Sequence, residues 1–404
     1  MPSHSSSPTR DVLVYGSSPW DETWLTEHFL SDALGRVEVD GRRVRVLFVD
    51  PAFSLLTPFR RASGLAALRS AVGLVLDPRR RVEGGGDVTV LRTTSLPPKE
   101  NRWARRVSAP WRRLQVRRAI RAGGYDIGLV VTCAAFDEST EIPVGARTVA
   151  VVKDWLAAGA HLTGLSAETI LERQRRTWAR ADVVCAISTR LQRRVAEEGV
   201  DARLLRHGSL RAAGPVPGTA PVPAPLAGLP RPLLGAVGRI DARWDLAALA
   251  AVAEQHPEGS LLLIGPVSPR LQGPARVALD ALAARPNVHL LPAVANTELG
   301  AWTEAMDVTL VPYVDDPWQE FASPLKIWDY FRAGTPIAAT GCPALGEFPA
   351  GLVHFRLPSR ELAEAVEEAL AEPAEHRARR TAYAAANTWD HRAAELLALA
   401  APTP

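Results

Sequence analysis

Short apolar runs alternate with segments of helical periodicity along the chain, and this alternation constrains the fold more than any other feature. In the first half, the candidate strands are Asp11–Tyr15, Val44–Val49, Asp87–Leu91, Ile127–Thr132, Thr148–Val152 and Val183–Ile187. In the second half, they are Leu233–Val237, Leu261–Ile264, Val288–Leu291, Val308–Pro312 and Ile337–Ala339. Short Val- and Leu-rich strands separated by helices are typical of parallel sheets covered on both faces. The sequence therefore predicts an α/β protein with doubly wound parallel sheets.

A Pro-rich segment divides this pattern into two halves. Residues 211–232 hold seven prolines and no periodic apolar pattern, which is typical of a stiff connector. The 404 residues are enough for two domains of about 100–200 residues each. We therefore predict one unit over residues 1–210 and a second unit, with closing helices, over 233–404. A cleft would separate the carboxyl edges of their sheets, which is where open α/β folds bind ligands.

Composition excludes several classes of protein. No apolar run reaches the roughly 18 residues of a membrane-spanning helix, and residues 1–10 are polar, unlike a secretory signal. The three cysteines lie far apart and form no CxxC pair, which argues against a disulfide framework or a zinc site and favours a cytoplasmic protein. The net charge of +3 is too small to predict a nucleic-acid partner.

One helix start carries the most specific chemical signal. Residues 322–339 read ASPLKIWDYFRAGTPIAA, in which Ser323 is a good N-cap and Pro324 suits the first helical position. Lys326 then lies in the first turn, where a positive charge is unfavourable unless an anion binds the free amide groups. Asp329 follows one turn later on the same face, placed to accept hydrogen bonds from ribose hydroxyls. An ordinary surface Lys–Asp pair would give the same pattern.

This segment resembles the SPLK-[LI]-[FW]-[DE]-Y-x-x-[AS]-G-[KT]-P stretch of glycosyltransferases with the GT-B fold. The similarity is to the retaining, family 4-like group that includes teichuronic-acid-type enzymes. The stretches LLGAVGRIDARWDL, LLLIGPV, PNVHLLPAV and AMDVTLVPY resemble further strands of that family's second domain. The resemblance implies two Rossmann-like domains facing each other across a cleft, with the acceptor bound by residues 1–210 and the nucleotide-sugar donor by 233–404.

The resemblance also implies which residues bind the donor: those at the helix start and those that follow the first strand of each unit. They are Gly16, Gly238, Arg239, Ser323, Pro324, Leu325, Lys326 and Asp329. The helix start would hold the diphosphate, and the aspartate would hold the ribose.

Two departures from the family pattern stand out. Many members carry two glutamates eight residues apart, whereas the position eight before Asp329 is Phe321. Glu320 or Asp316 would therefore have to reach the donor sugar from a shifted loop. No lysine follows Arg239, so the lysine of the helix start would supply the second positive charge facing the diphosphate.

The first turn of the chain, GSSPWDETW, offers titratable groups that would face the cleft. Asp21 is the candidate base that an inverting enzyme needs to deprotonate an acceptor hydroxyl, with Glu22 and His28 nearby in sequence. A retaining enzyme needs no such base, because the leaving phosphate takes the proton. Asp21 would equally serve as the cap of a helix that begins near Thr23.

A second candidate loop follows the strand that ends before Lys153. Asp154 and His161 lie in this loop, and similar loops in the family hold a histidine or an acidic group near the sugar ring. Both are therefore candidates for contact with donor or acceptor. The adjacent Asp315 and Asp316 are weak grounds for a metal site, so no metal is predicted.

Residues 99–121 form a basic stretch with one lysine and eight arginines, in which Trp103 and Trp111 recur at helical spacing. Three interpretations remain open: a solvated helix, an acceptor-binding surface, or a patch that rests on anionic lipid at the inner membrane surface.

The leading hypothesis is a hexosyl- or deoxyhexosyltransferase that uses a UDP, GDP or dTDP sugar, needs no cofactor and retains the anomeric configuration. Acceptors of the family include glycans, glycolipids and secondary-metabolite aglycones, and the Arg-, Ala- and Pro-rich composition is typical of actinomycete-like bacteria. One alternative is an NAD-dependent oxidoreductase with Asp50 on a ribose, although the GxGxxG turn is missing. A sugar-nucleotide epimerase or an inactive binding module of the same fold is the other.

Overall fold

Two large sheets, one from each half of the chain, form the framework of the protein. The computed structural model describes residues 11–22, 24–54, 78–83, 85–95, 102–134, 140–160, 164–210, 221–295 and 298–401, with backbone alone for 102–107. Strands and helices alternate in both halves, so the predicted α/β architecture with two doubly wound units is confirmed.

Among the described residues, the first sheet has eight strands, whose ranges follow, in the order β12-β11-β10-β9-β1-β4-β7-β6. Seven of these strands are parallel, and β6 pairs antiparallel with β7 at the edge. In chain order they are β1 (Asp11–Tyr15), β4 (Arg45–Val49), β6 (Arg79–Arg81), β7 (Val88–Leu91), β9 (Ile127–Thr132), β10 (Arg147–Val152), β11 (Val183–Ala186) and β12 (Ala202–Leu204). Two small two-stranded pairs lie outside it, formed by β2 (Glu38–Val39) with β3 (Arg42–Arg43) and by β5 (Phe53–Ser54) with β8 (Thr94–Ser95).

Helices cover both faces of this sheet and form two apolar cores with it. They are α1 (Thr26–Leu34), α2 (Arg102–Ala122), α3 (Ala167–Trp178) and α4 (Thr189–Ala196). The basic helix α2 buries Val116 and Ala119 against the sheet, and Trp111 Nε1 donates to Thr94 Oγ1 at 3.2 Å. Part of its apolar face is therefore covered by its own domain.

In the part of the second half that the structure describes, the sheet has six strands, all parallel, in the order β15-β14-β13-β16-β17-β18. In chain order they are β13 (Leu233–Val237), β14 (Ser260–Ile264), β15 (Val288–Leu291), β16 (Val308–Pro312), β17 (Ile337–Thr340) and β18 (His354–Arg356). The helices of this unit are α5 (Leu246–Gln255), α6 (Gly273–Ala283), α7 (Leu299–Glu304), α8 (Lys326–Ala333), α9 (Leu362–Leu370) and α10 (Glu375–Ala386). The inner four strands are almost wholly buried, as their unbroken apolar sequences require.

The last helix, α11 (Trp389–Ala400), packs on the first unit rather than the second. Trp389 and Leu396 belong to the apolar core under the first sheet, and Arg36 of α1 pairs with Asp390 at 2.7 Å. The predicted division assigned these residues to the second unit because they follow it in sequence. The structure differs because the apolar face of α11 is buried against α1, although the two helices are more than 350 positions apart in the sequence.

Among the described residues, no helix is both long and apolar enough to cross a membrane.

Candidate functional site

Loops that follow strands of the first sheet lie close to loops that follow strands of the second. We call the region between them the cleft, with the first unit as its first wall and the second unit as its second wall. Asp154, which follows β10, feels the charge of Arg243, which follows β13 in the other unit. On one flank the units touch: the Trp318 ring lies so close to Gly159 that a β-carbon there would approach Cε3 of the ring to 2.4 Å. The predicted site residues can therefore be located relative to this cleft.

The helix start that the sequence singled out lies on the second wall of the cleft, but it begins later than predicted. Helix α8 starts at Lys326 with Leu325 as its N-cap, and no side-chain oxygen caps it. The prediction of Ser323 as N-cap and Pro324 as first helical residue is wrong, because a preceding turn with a 3.3 Å hydrogen bond from Ile327 N–H to the Pro324 carbonyl comes first. Among the described residues, the amide groups of Leu325 and Lys326 find no acceptor in the protein.

Lys326 lies in a pocket of aromatic rings and backbone. Its ammonium lies 5.3 Å from the centre of the Trp244 ring and 5.0 Å from that of Tyr313. Gly238 has φ 131°, and a β-carbon there would come within 3.2 Å of Lys326 Nζ. The glycine after β13 thus lets the backbone approach the ammonium closely.

The charge of Lys326 is poorly compensated. Within the described part of the chain, no carboxylate lies within ion-pair distance of its Nζ. Burial, together with the Arg243 guanidinium, lowers the pKa of Lys326 to about 7, and Asp241 opposes the change. A bound anion would compensate this charge and complete the hydrogen bonding of the two free amide groups.

Two arginines accompany Lys326. Arg243 forms hydrogen bonds of 2.7–3.1 Å with Asp241 and lies 5.8 Å over the Tyr313 ring, which holds its guanidinium in place. Arg239, the arginine predicted from the sequence, is exposed beside Gly238, and no ion pair links it to another described residue.

Asp329 lies one turn into α8, on the same side of the helix as Lys326. Its carboxylate is 3.7 Å from Arg332 and only 24% exposed. Burial raises the pKa of Asp329 to about 6, and the Arg332 charge counteracts this only in part. The predicted juxtaposition of ammonium and carboxylate on this helix is therefore present, and the two groups do not pair with each other.

The opposite wall of the cleft holds a buried ion pair that the sequence did not predict. Lys153, at the end of β10, donates to Glu27 Oε2 and to Ser17 Oγ, both at 2.8 Å. Glu27 Oε1 accepts from Ser17 N–H at 3.0 Å and from Ser17 Oγ at 2.6 Å. Burial raises the pKa of Glu27, but the Lys153 charge and these hydrogen bonds outweigh it and bring it to about 2.

The turn after β1 is fixed by this pair and by packing. Gly16 N–H donates to the Val49 carbonyl at 3.1 Å, and a β-carbon on Gly16 would lie 2.4 Å from Cζ of Phe48. Gly16 therefore allows the turn to pack closely on the buried Phe48 ring. The next residue, Ser17, is hydrogen-bonded to both Glu27 and Lys153.

Two buried histidines lie around the same pair. His207 Nε2 is 2.9 Å from Thr26 Oγ1, and burial together with the Lys153 charge lowers the pKa of His207 to about 3, against a raising effect of the Ser323 backbone. His28 Nδ1 accepts from Leu25 N–H at 3.0 Å, and burial lowers its pKa too. Both imidazoles are therefore neutral at physiological pH, which sets them apart from the ammonium beside them.

The candidate acids and bases of the sequence prediction fall in different places. Burial raises the pKa of Asp154 to about 6, opposed by Lys153 and Arg243, at a point where the two walls meet. Asp21 pairs with Arg80 and Arg92 at the sheet edge, and α1 begins at Thr26 without a cap from Asp21.

Of three further acid or base residues considered in the sequence analysis, the structure describes two. Glu320 pairs with Arg190 of α4 at 3.2 Å and so spans the two units. Asp50 is buried, accepts from Trp20 N–H at 2.9 Å, and has its pKa raised to about 6 by burial. Asp50, the acid that the nicotinamide alternative would place on a ribose, therefore already accepts one hydrogen bond from the first turn. His161 lies outside the described residues.

One group of described side chains has the spacing of metal ligands, and it lies away from the cleft. It consists of His354, Glu372 and His376, whose ligand atoms all lie within 4.8 Å of one another. Both Glu372 oxygens already accept from the buried Arg380. The guanidinium neutralises the carboxylate that a cation would need, so this group is assigned a structural role.

Sequence reasoning missed the residues whose importance depends on contacts across the fold. Glu27 looks like an ordinary helix-surface glutamate, and Trp244 and Tyr313 look like core aromatics. Arg243 carried a usable signal, since it follows Arg239 by four residues in the same strand-end loop.

Comparisons with known proteins find a family that matches the second unit and solved structures that resemble the fold. Residues 231–372 match the family described as Glycosyl transferases group 1. TuaH of Bacillus subtilis (strain 168), described as a teichuronic acid biosynthesis glycosyltransferase, is 26% identical over 122 residues, which is 30% of this chain and only 30% of that relative's length.

Solved structures resemble the chain over almost its whole length. Sucrose-phosphate synthase from Thermosynechococcus elongatus superposes with a TM-score of 0.67 at 16% identity, covering 96% of this chain and 98% of that one. Anabaena HepE in complex with UDP and glucose superposes with a TM-score of 0.62 at 14% identity, covering 96% and 99%. At these identities the likeness shows the fold, which is GT-B.

Proposed function

We propose that this protein transfers a sugar from a nucleotide-diphosphate sugar to an acceptor hydroxyl. The premise is that residues 231–372 match the group 1 glycosyltransferases, within a chain of GT-B fold. One observation carries the proposal: the Lys326 ammonium and the amide groups of Leu325 and Lys326, which have no ion-pair partner or acceptor among the described residues, lie together at the cleft. A diphosphate supplies the negative charge and the acceptor oxygens that this arrangement lacks.

The same groups would stabilise the departing nucleotide. As the bond to the anomeric carbon breaks, negative charge grows on the diphosphate, and fixed donors lower the barrier most where charge develops. Lys326 and the amide of Leu325 would bind the diphosphate from the helix start. Arg239 and Arg243 would add positive charge from the loop after β13.

The remaining candidates take positioning roles in this proposal. Asp329 would accept hydrogen bonds from the ribose, since its carboxylate lies one turn beyond the ammonium on α8. Asp154 and Glu320 would lie near the sugar, the former at the meeting point of the two walls. Gly16 and Gly238, where a β-carbon would meet Phe48 and Lys326, would place backbone beside the substrates.

Retention at the anomeric carbon is part of the proposal. The buried carboxylate under the first turn, Glu27, has a pKa of about 2 and is bound by Lys153 and Ser17, so it is a poor proton acceptor. Front-side attack, with the proton passing to the leaving phosphate, requires no base from the protein. The resemblance to retaining enzymes supports the same outcome.

Substrate identity is proposed from the relatives. HepE is described in complex with UDP and glucose, which favours UDP over GDP or dTDP and a hexosyl over a deoxyhexosyl group. TuaH is described as a teichuronic acid biosynthesis enzyme, which favours a glycan acceptor over a glycolipid or a secondary-metabolite aglycone. We propose that neither a metal nor another cofactor takes part.

A cytoplasmic location with contact at the inner membrane surface through residues 99–121 completes the proposal. Helix α2 exposes Arg117, Arg118 and Arg121, and the Leu114 side chain is 37% exposed. Exposed arginines beside an apolar side chain favour a patch that rests on anionic lipid.

Nucleotide release tests the proposal most directly. Purified protein is first heated with UDP, GDP, dTDP or NAD, and the expected result is a rise in melting temperature with a nucleoside diphosphate and none with NAD. The protein is then incubated with hydroxyl acceptors and with sugar donors that carry the nucleoside diphosphate giving the largest rise in melting temperature. Nucleoside diphosphate should appear only when an acceptor is present, and NMR of the product should show the donor's anomeric configuration. Acceptor-independent release of free nucleotide would favour the epimerase alternative.

A further inference from the structure

A carboxylate of the second unit caps a helix of the first. Glu347 ends a short 3-10 helix, Pro343–Glu347, and reaches across to the start of α4. Its Oε2 accepts from Thr189 N–H at 2.9 Å and its Oε1 from Arg190 N–H at 2.8 Å. The Glu347 side chain is 19% exposed, so both bonds are partly shielded from water.

The first turn of α4 depends on this contact. Ser188 Oγ, the N-cap of α4, accepts from Leu191 N–H at 3.2 Å and satisfies the third amide of the turn. The first two amides receive their acceptor from the other unit. A carboxylate at a helix N-terminus is favoured by the helix dipole as well as by charge-assisted hydrogen bonds.

Neighbouring contacts hold the carboxylate in place. Arg206, in the segment that leaves the first unit, lies 3.3 Å from Glu347 Oε2 and donates to Thr189 Oγ1 at 3.0 Å. Arg190 extends from the same helix turn to Glu320 at 3.2 Å. We call Glu347, Thr189, Arg190 and Arg206 the clasp.

The clasp is joined to the candidate donor site through the short connection before α8. Cys342, immediately before the helix that carries Glu347, donates its Sγ–H to the Ala322 carbonyl at 2.9 Å. Ala322 lies four residues before Lys326, the ammonium at the cleft. One hydrogen bond and four residues of chain therefore connect the segment that carries Glu347 to the start of α8.

We propose that Glu347 is a positioning residue that holds the two units in the arrangement observed here, which we call closed, and so keeps the start of α8 against the first wall of the cleft. Opening would separate the carboxylate from both α4 amides at once. The interdomain part of the inference stands on the contacts alone, and its kinetic consequence rests on the proposed function.

A distance measurement tests the interdomain part without any substrate. Spin labels are attached at Arg173→Cys on α3 and Val277→Cys on α6, both exposed positions, while the three native cysteines are buried. In Glu347→Ala the interdomain distance distribution should broaden and move to longer values. The control Glu258→Ala removes an exposed carboxylate of the second unit and should leave the distribution unchanged. An identical distribution in Glu347→Ala and the control would overturn the inference.

Kinetics with the selected nucleotide-sugar test the consequence. When fewer molecules are closed, apparent donor affinity falls in proportion, so KM for the donor should rise about tenfold in Glu347→Ala while kcat stays within about twofold. Glu347→Asp should recover part of the loss. A fall in kcat at unchanged KM would contradict a positioning role. If Glu347→Ala does not fold, Glu347→Gln serves for both measurements. If the unaltered protein shows no transfer, the proposed function fails, and the distance result still decides the clasp.

Discussion

Two of the three lysines of this chain lie near the carboxyl ends of strands, one in each unit. Their surroundings differ in whether a carboxylate pairs with the ammonium. Lys153, on the first wall of the cleft, is bound by a buried carboxylate and a serine, and its pKa is raised by Glu27 although burial opposes this. Lys326, on the second wall, has aromatic rings and an arginine around it, and its pKa falls to about 7. The first charge is compensated by the protein itself, whereas no described carboxylate pairs with the second.

The contrast predicts a structural role for the Lys153 charge and a binding role for the Lys326 charge. A buried ion pair is strongly destabilising when one partner is removed, because the other remains charged and desolvated. A buried charge without a partner is already unfavourable in the free protein and gains most when an anion arrives. The same residue type, at equivalent edges of two similar units, is therefore expected to respond to mutation in opposite ways.

The largest expected effect is on stability. Lys153→Met leaves Glu27 buried without its counter-charge, so the free energy of unfolding should fall by roughly 3–5 kcal/mol. Denaturant unfolding measures it. The double variant Glu27→Gln with Lys153→Met should recover most of the loss, and Lys326→Met should be at least as stable as the unaltered protein. A Lys153→Met loss of under about 1 kcal/mol would remove the contrast.

The next effect is on binding. Lys326→Met keeps the side-chain length against Trp244 and Tyr313 but removes the charge. Hydrogen bonds to charged groups contribute about 1.5–3 kcal/mol, so the affinity for UDP should fall by about 10- to 100-fold. Isothermal titration calorimetry measures this. Arg276→Met, which removes an exposed cation on α6, is the matched control. Equal UDP affinity in Lys326→Met and the unaltered protein would rule out the diphosphate assignment.

A smaller effect is expected from pH. Because the pKa of Lys326 is about 7 in the free protein, its ammonium is increasingly neutral above that pH. UDP affinity should therefore fall by roughly 3- to 10-fold between pH 7 and pH 8, since one pH unit is at most tenfold. Lys326→Arg should abolish this dependence, because a guanidinium stays charged. A flat profile in the unaltered protein would show that the ammonium is not what binds UDP.

The lowered pKa of Lys326 also makes the free energy of unfolding depend on pH. The unfolded chain keeps the Lys326 proton up to its ordinary pKa near 10.5, whereas the folded chain releases it near 7. Between these values the unfolded state binds more protons, so this group makes stability rise with pH. The stability difference between Lys326→Met and the unaltered protein should therefore shrink from pH 6 to pH 9 in thermal unfolding.

The smallest effect is expected at Asp21, the base candidate. Its carboxylate is half exposed and pairs with Arg80 and Arg92, and exposed ion pairs contribute about 0–1 kcal/mol. Asp21→Asn should change kcat by less than about twofold, with Arg80→Ala as a control for the lost ion pair. A loss of about 100-fold or more in kcat for Asp21→Asn alone would restore the base assignment and argue for inversion.

Much of the framework followed from local sequence pattern. Strands β1, β9, β13, β15 and β16 have the predicted bounds, because unbroken apolar runs leave little choice of position in a buried parallel sheet. The start of α8 was misplaced by two residues. Ser and Pro are frequent at helix starts, but here a separate turn precedes the helix, and local preference alone cannot distinguish the two.

The candidate site was predictable in part. Lys326 and Asp329 share a helix, so their spacing of three residues is enough to place them on one face of it. The Glu27–Lys153 pair joins residues 126 positions apart, and the clasp joins residues nearly 160 apart. No periodicity links such positions.

By itself, the sequence determined the two parallel sheets, their carboxyl edges and a lysine in the first turn of a helix, because these depend on interactions within a few residues of chain. The tertiary structure decided which charges are neutralised and which remain available. Glu27 pairs with Lys153, whereas among the described residues no carboxylate pairs with Lys326. Glu347 and α11, which follow the second unit's candidate donor-site segment in sequence, contact the first unit. Charge compensation and burial depend on distances through space, and packing sets those distances only when the two units come together.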